Sequence, residues 1–271
     1  MASQRASNAR LRTLFDASVA AAKVAADYIR SREADRAGLD VREKQVSDFV
    51  SEVDTGAESR IREVLDRMVP GAQVVGEELS PTASTVGETV FVVDPLDGTT
   101  NFLHGFPAYA VSIGAMADGE VVTGVILDVP RGELFTATAG GGAFRDGQAI
   151  RVSPVLTPAR ALVGTGFPFK DLEFLADYVR QFERITRARS GVRRAGSAAL
   201  DLASVACGRF DAFWELRLAP WDIAAGLLIV REAGGRVTDL EGRDILPATG
   251  PVVASNDHLH EWLLDSLRNN A

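Results

Sequence analysis

The chain has 271 residues, 46% of them hydrophobic and 24% charged, and a formal net charge of −8. That length is long for one domain and short for two, and the composition is that of a soluble globular chain with a real core. The acidic balance argues against a broad basic face, so no direct nucleic-acid binding is expected. The single cysteine, Cys207, excludes an internal disulfide, and none of the three histidines has zinc-ligand spacing. The N-terminal stretch MASQRASNARLRTLF lacks the apolar segment of a signal peptide, and no run approaches ~18 apolar residues. A cytoplasmic location without membrane association is the expectation.

In chain order, residues 12–30 read as a helix, with Phe15, Val19, Ala22, Ala26 and Ile29 at helical spacing. Residues 31–40 are polar and read as a loop or frayed helix end. A second helix is expected over 55–68, with Ile61, Val64, Leu65 and Met68 on one face. Thr55 and Glu58 have capping-box spacing at its start, and Pro70-Gly71 ends it. From residue 73 the pattern turns β-like, with QVVGEE and TVFVVD as short strands. Two further strands meet at Asp118-Gly119, and a second hairpin signal is Asp146-Gly147. Helices are expected over 171–187 and 198–207, followed by a strand Phe210–Glu215, then helices over 222–233 and 257–268. The expected seam lies near 155. It divides an N-terminal α+β lobe (1–155) from a C-terminal α/β lobe (156–271).

Residues 94–102 read DPLDGTTNF, after the apolar run Val90–Val93. Two aspartates beyond a buried strand suit a hard cation such as Mg²⁺. Gly98-Thr99-Thr100 opens a helical turn whose backbone N–H groups suit a phosphate. The tetrad alone also reads as an Asx-turn leading into a capped helix. Two more segments carry acids: Gly76-Glu77-Glu78 at a strand end, and Pro220-Trp221-Asp222-Ile223-Ala224-Ala225-Gly226 at a helix start.

DPLDGTTNF, GEE and PWDIAAG, in this order, resemble the three signatures of the inositol monophosphatase family, and the likeness runs from about residue 12 to the C-terminus. Gly166–Phe169 and Arg193–Ala203 also resemble segments of bacterial inositol-1-monophosphatases. The resemblance implies a layered αβαβα sandwich, the fold of the inositol monophosphatase and fructose-1,6-bisphosphatase superfamily. It implies a Mg²⁺-dependent phosphomonoesterase acting on myo-inositol monophosphates, with two or three ions. Mn²⁺ is expected to substitute, and Li⁺ and Ca²⁺ to inhibit. A homodimer is implied as well.

By the same resemblance, Glu77, Asp94, Asp97 and Asp222 are side-chain metal ligands, with the Leu96 carbonyl beside them. Glu77, Thr99 and Asp54 are catalytic, positioning and activating the attacking water. With Thr55 and Glu58 capping the second helix, Asp54 is expected to be left for this task. Gly98 and Thr99 take the phosphate, while Gly196, Ser197, Ala198 and Glu215 contact the polyol. Ser197 also reads as the cap of helix 198–207. Lys44 matches a lysine near the metal loop, and a solvated surface lysine is the alternative. Arg193 and Arg194 read as interface residues or as partners of surface acids. Arg217 departs from the glycine common in relatives, which leaves the shape of the polyol pocket, and so the exact substrate, open. Histidinol-phosphate, fructose-1,6-bisphosphate and 3′-phosphoadenosine 5′-phosphate are alternative substrates. No Lys/Arg cluster adjoins the motifs, which favours a monophosphate. A protein-binding role in transcription is the alternative of another class.

Overall fold

The computed structural model describes residues 2–45, 48–168, 172–188 and 190–268; the described side chains exclude 2–7, 37 and 43–49. Helix α1 (Ala2–Ser31) buries Leu14, Ala17, Ala21, Ala25 and Ile29 along one stripe. The alanines at three- and four-residue spacing let its backbone lie close to its neighbours. Residues 31–40 contain a 3₁₀ helix, Glu33–Gly38. An antiparallel hairpin of β1 (Val41–Gln45) and β2 (Asp48–Ser51) follows. Its VREKQ strand has no apolar alternation, and the sequence did not signal it.

Helix α2 (Glu52–Met68) starts one turn earlier than its apolar periodicity predicts. The expected Thr55/Glu58 cap is not formed there. Ser51 is the N-cap: its hydroxyl accepts from the Val53 N–H at 3.1 Å, and Asp54 accepts from the Ser51 N–H at 2.8 Å. Glu58 is instead fully buried within the helix, paired with Arg62 at 2.8 Å and accepting from the Glu78 N–H at 2.8 Å.

The first large sheet holds β3 (Gln73–Gly76), β4 (Thr89–Asp97), β5 (Ala110–Ala117), β6 (Glu120–Asp128), β7 (Glu133–Thr138), β8 (Gly142–Arg145) and β9 (Gln148–Ala149). These seven strands lie in sequence order, antiparallel except for the β3–β4 pair. Asp118-Gly119 and Asp146-Gly147 both take positive φ, as two-residue hairpin turns need. A short helix, α3 (Thr99–Leu103), interrupts between β4 and β5.

After β10 (Leu162–Thr165) come α4 (Leu175–Arg187), β11 (Gly191–Arg193), α5 (Ala198–Ala206), β12 (Ala212–Leu218), α6 (Pro220–Glu232), β13 (Gly235–Thr238), β14 (Gly250–Asn256) and α7 (Asp257–Arg268). The expected strand Phe210–Glu215 is thus shifted toward the C-terminus. The second sheet runs β11-β10-β12-β14-β13, with β10 parallel to both neighbours and the other pairs antiparallel.

Three apolar clusters stack these elements. One joins α1 and α2 to a face of the first sheet. A second puts α5 and α6 between the two sheets, drawing on Ile126 and Phe135 from one and Phe213 and Ala254 from the other. The third covers the outer face of the second sheet with α4 and α7. The order is α1/α2, sheet, α5/α6, sheet, α4/α7: an αβαβα sandwich. Strands up to Ala149 lie in the hairpin or the first sheet, and strands from Leu162 lie in the second.

Candidate active site

Asp94, Asp97 and Asp222 each offer a carboxylate oxygen, and these atoms lie within 4.8 Å of one another. A regular strand sends residues three apart to opposite faces. β4 escapes this rule by an irregularity. Asp94 pairs with Ser112 and Asp97 with Ala110, so three steps on β4 oppose two on β5. Pro95 lies within the step, where its missing N–H leaves no ladder bond broken. Both carboxylates can then face one site.

Asp222 arrives from the opposite layer. Pro220 opens α6 at its first turn, where its fixed φ is suited, and Asp222 sits at the third position, accepting from the Ala219 N–H at 2.6 Å. The helix comes close to the first sheet because β5 has glycine where they meet. A Cβ on Gly114 would stand 2.7 Å from that of Ala224. Any larger residue there would push the helix, and Asp222 with it, away from Asp94.

Each carboxylate of the trio is held by its own scaffold. Asp94 Oδ1 accepts from the Leu96 N–H at 3.0 Å. Asp97 Oδ2 accepts from the Ser197 hydroxyl at 2.6 Å and the Ala199 N–H at 2.8 Å. Asp94 is buried, and burial, followed by the charges of Glu77, Asp97 and Asp222, pushes its carboxyl well above the usual range. Such a group of oxygen donors fits a hard divalent cation, which would let all three ionise together. Glu77 stands outside the tight trio. Its N–H donates to the Val93 carbonyl at 3.2 Å, next to Asp94 in the chain, and its charge pushes both Asp94 and Asp54 upward.

Beside the trio lies a hydroxyl–carboxylate pair. Thr99 Oγ1 donates to Asp54 Oδ1 at 2.6 Å and lies 3.2 Å from the Leu96 carbonyl oxygen. Asp54 Oδ2 meanwhile accepts from the Ser51 N–H and hydroxyl. The expectation that another cap leaves Asp54 uncommitted is therefore corrected. Asp54 caps α2 with one oxygen and reaches Thr99 with the other. Burial pushes Asp54 upward, against the lowering pull of the Ser51 and Thr99 bonds.

Gly98, at φ 94°, lies between β4 and α3. A Cβ there would meet the Ala108 carbonyl oxygen at 2.8 Å, so both the left-handed turn and the space require glycine. Ser197 caps α5 as expected, accepting from the Leu200 N–H at 3.3 Å, and it also donates to Asp97 Oδ2 at 2.6 Å. Gly196 and Ala198 flank it. Glu215 is half-buried on β12, close enough to bear on the buried Asp201 of α5. Lys44 falls in β1, but its side chain lies outside the described residues.

Arg217 lies within a second register irregularity, on β12. Glu215 pairs with Val252 and Leu218 with Gly250, another three-against-two step. Within this step Arg217 is exposed, and it lines a cavity of about 550 Å³ with Phe174, Arg184 and Leu267 beneath α4 and α7.

Two residues emerge that sequence reasoning passed over. Asp201 is buried, and burial, then the charges of Glu215 and Asp97, push its carboxyl well upward. Asn101, within DPLDGTTNF, donates to three carbonyls, two of them in the 195–196 turn. An acid in the apolar run SAALDLA was the available signal for Asp201. Nothing local signalled the partners of Asn101.

A buried carboxylate centre at strand ends, joined by a hydroxyl–carboxylate pair on an αβαβα sandwich, defines a phosphatase of the metal-site class. The inositol monophosphatase family model matches residues 10–271, and the chain belongs to that family. Inositol-1-monophosphatase from Rhizobium meliloti is 43% identical over 85% of this chain and 86% of its own length. Nus factor SuhB from Pseudomonas aeruginosa is 43% identical over the same shares. Among solved structures, inositol monophosphatase from Anabaena superposes with a TM-score of 0.84 at 35% identity, covering 95% of this chain and 96% of that one. Extragenic suppressor protein suhB from Bartonella henselae gives a TM-score of 0.88 at 39% identity, covering 94% and 98%.

Proposed function

We propose that this protein hydrolyses myo-inositol monophosphates to inositol and phosphate with Mg²⁺. The observation that carries this reading is the convergence of Asp94, Asp97 and Asp222 beside the Asp54–Thr99 pair. Glu77, Asp94, Asp97, Asp222 and the Leu96 carbonyl would hold two or three ions. Bound Mg²⁺ supplies Lewis-acid polarisation of the phosphoryl group and makes water a better nucleophile near neutral pH. The Thr99 hydroxyl keeps its proton and donates it in a hydrogen bond to Asp54, so the lone pairs of Thr99 Oγ1 are left to accept from the attacking water, with Glu77 as the second acceptor. The backbone N–H groups of Gly98 and Thr99 meet the phosphate oxygens. Gly196, Ser197, Ala198 and Glu215 line the polyol side, where a carboxylate can accept from two vicinal hydroxyls. Transfer is then in-line to water, its charge stabilised by preorganised groups.

The family resemblance further supports a homodimer, substitution of Mg²⁺ by Mn²⁺, and inhibition by Li⁺ and Ca²⁺. A panel of phosphate monoesters assayed with Mg²⁺ tests the reading. Inositol monophosphates should give the highest kcat/KM; a superfamily substrate such as histidinol-phosphate, fructose-1,6-bisphosphate or 3′-phosphoadenosine 5′-phosphate ahead of them would overturn it. The relatives named Nus factor SuhB favour a second reading, a protein-binding role in transcription alongside catalysis. Co-purification of named transcription factors with the catalytically dead protein, at wild-type yield, would support that role.

A further inference from the structure

The segments assigned to the polyol and to the phosphate lie about a hundred residues apart in the chain, and hydrogen bonds tie one to the other. Asp97 supplies one tie, through Ser197 and Ala199. Asn101 supplies another. Its Nδ2 lies 2.9 Å from the Ala195 carbonyl oxygen, 3.1 Å from that of Gly196 and 2.6 Å from that of Ala108. The Ala108 oxygen is also the atom that a Cβ on Gly98 would strike. One amide thus holds the 195–196 turn and packs the Gly98 turn from behind.

We propose that Asn101 is a specificity-determining positioning residue: its amide clamps the 195–196 turn onto the 97–101 segment and so sets the distance between the polyol side and the phosphate side of the site. This rests on the assignment of those two sides under the proposed function. An amide donates two hydrogens and no neutral isostere of its size does the same. Aspartate keeps the shape, removes both donors, and sets a carboxylate against three carbonyls. Alanine simply releases the turn. Releasing it leaves Asp94 and Asp222 with their local backbone supports and Asp97 with its two bonds to the start of α5, so phosphate chemistry persists while a bulky polyol loses its register. A substrate with no sugar hydroxyls does not depend on the clamp.

The test measures kcat and KM for Asn101→Asp and Asn101→Ala on myo-inositol 1-phosphate and on p-nitrophenyl phosphate, with the Mg²⁺ concentration for half-maximal activity. The loss of two net hydrogen bonds gives an expected rise in KM of about tenfold for the inositol ester. kcat for that ester, kcat/KM for the aryl ester and the Mg²⁺ requirement should each stay within about threefold. Equal losses on both substrates, or a loss confined to kcat, would assign Asn101 a merely structural role and overturn the proposal. Should wild-type protein prefer another polyol monophosphate, the substrate assignment fails by itself. The clamp is then judged on that ester: an unchanged ratio of its kcat/KM to that of the aryl ester in both variants overturns it. If Asn101→Asp does not fold, Asn101→Ala carries the same comparison.

Discussion

β4 and β12 use one backbone device to different ends. Each carries a step in which three residues oppose two on the partner strand. Each then passes through a single residue, Gly98 or Ala219, into a helix whose first turn bears a site residue, Thr99 or Asp222. In β4 every residue from Val90 to Asp97 is buried, and the step brings two carboxylates together in the interior. In β12 the step spans residues of unequal burial instead: Glu215 is half-buried, and Arg217 is exposed at the cavity beneath α4 and α7. A register step changes the parity of a strand, and parity decides whether neighbouring charges concentrate or part. Concentrated carboxylates without a cation are electrostatically unfavourable, so β4 makes the centre that calls for an ion and β12 its uncrowded flank.

The largest effect is expected from breaking the β4 side. Asp94→Asn keeps an acceptor for the Leu96 N–H but removes the charge at the centre of the trio. Turnover should fall by about 10³-fold or more, the scale of losing a preorganised electrostatic group. Saturating Mg²⁺ should not restore it. The metal-free protein should unfold at an equal or higher temperature, because a buried charge has been removed. Near-wild-type kcat at high Mg²⁺ would remove Asp94 from the centre.

On the β12 side, Glu215→Gln should affect substrate choice. Losing a charged acceptor for sugar hydroxyls is worth on the order of 1.5–3 kcal/mol. kcat/KM for inositol 1-phosphate should therefore fall roughly 10–150-fold, while that for p-nitrophenyl phosphate stays within a few-fold. Equal losses on both esters would count against a polyol-facing carboxylate.

Gly98→Ala tests the turn that β4 needs and β12 does not. The left-handed conformation alone costs alanine about 1–2 kcal/mol, and contact with the Ala108 carbonyl adds to it. Thermal unfolding should shift downward accordingly. Ala219→Gly, at an extended backbone position on the other strand, should shift it by only a few tenths of a kcal/mol. Equal shifts would show that the two exits are equivalent.

The smallest effect is expected at Arg217. Arg217→Gly should leave kcat/KM for inositol 1-phosphate within about twofold, as is usual for an exposed residue away from a site. A tenfold change would place Arg217 back beside the polyol and undo the contrast between the strands.

Much of this molecule is legible locally. The α7 span, the Asp-Gly hairpins and the Ser197 cap all follow from turn chemistry and periodicity within a few residues, whereas the helix expected over 222–233 starts two residues earlier, at Pro220. The site carboxylates were legible too, because DPLDGTTNF, GEE and PWDIAAG are dense in oxygen donors at element ends. Helix α2 shows the limit even of local reading: two capping-box spacings overlap, Ser51 with Asp54 and Thr55 with Glu58. Burial of Glu58 against Arg62 and the 78–79 backbone N–H groups decides between them.

The sequence by itself determined the layered class of fold and the chemical types at the site. Only the tertiary structure decided that Asp94 and Asp97 meet Asp222, that Asp54 serves α2 and Thr99 at once, that Arg217 lines the cavity beneath α4 and α7, and that Asn101 reaches residues 195 and 196. Periodicity and capping act over a few residues of chain. Register steps and the approach of α6 over Gly114 are instead fixed by packing between segments far apart in sequence, and no short stretch contains both partners.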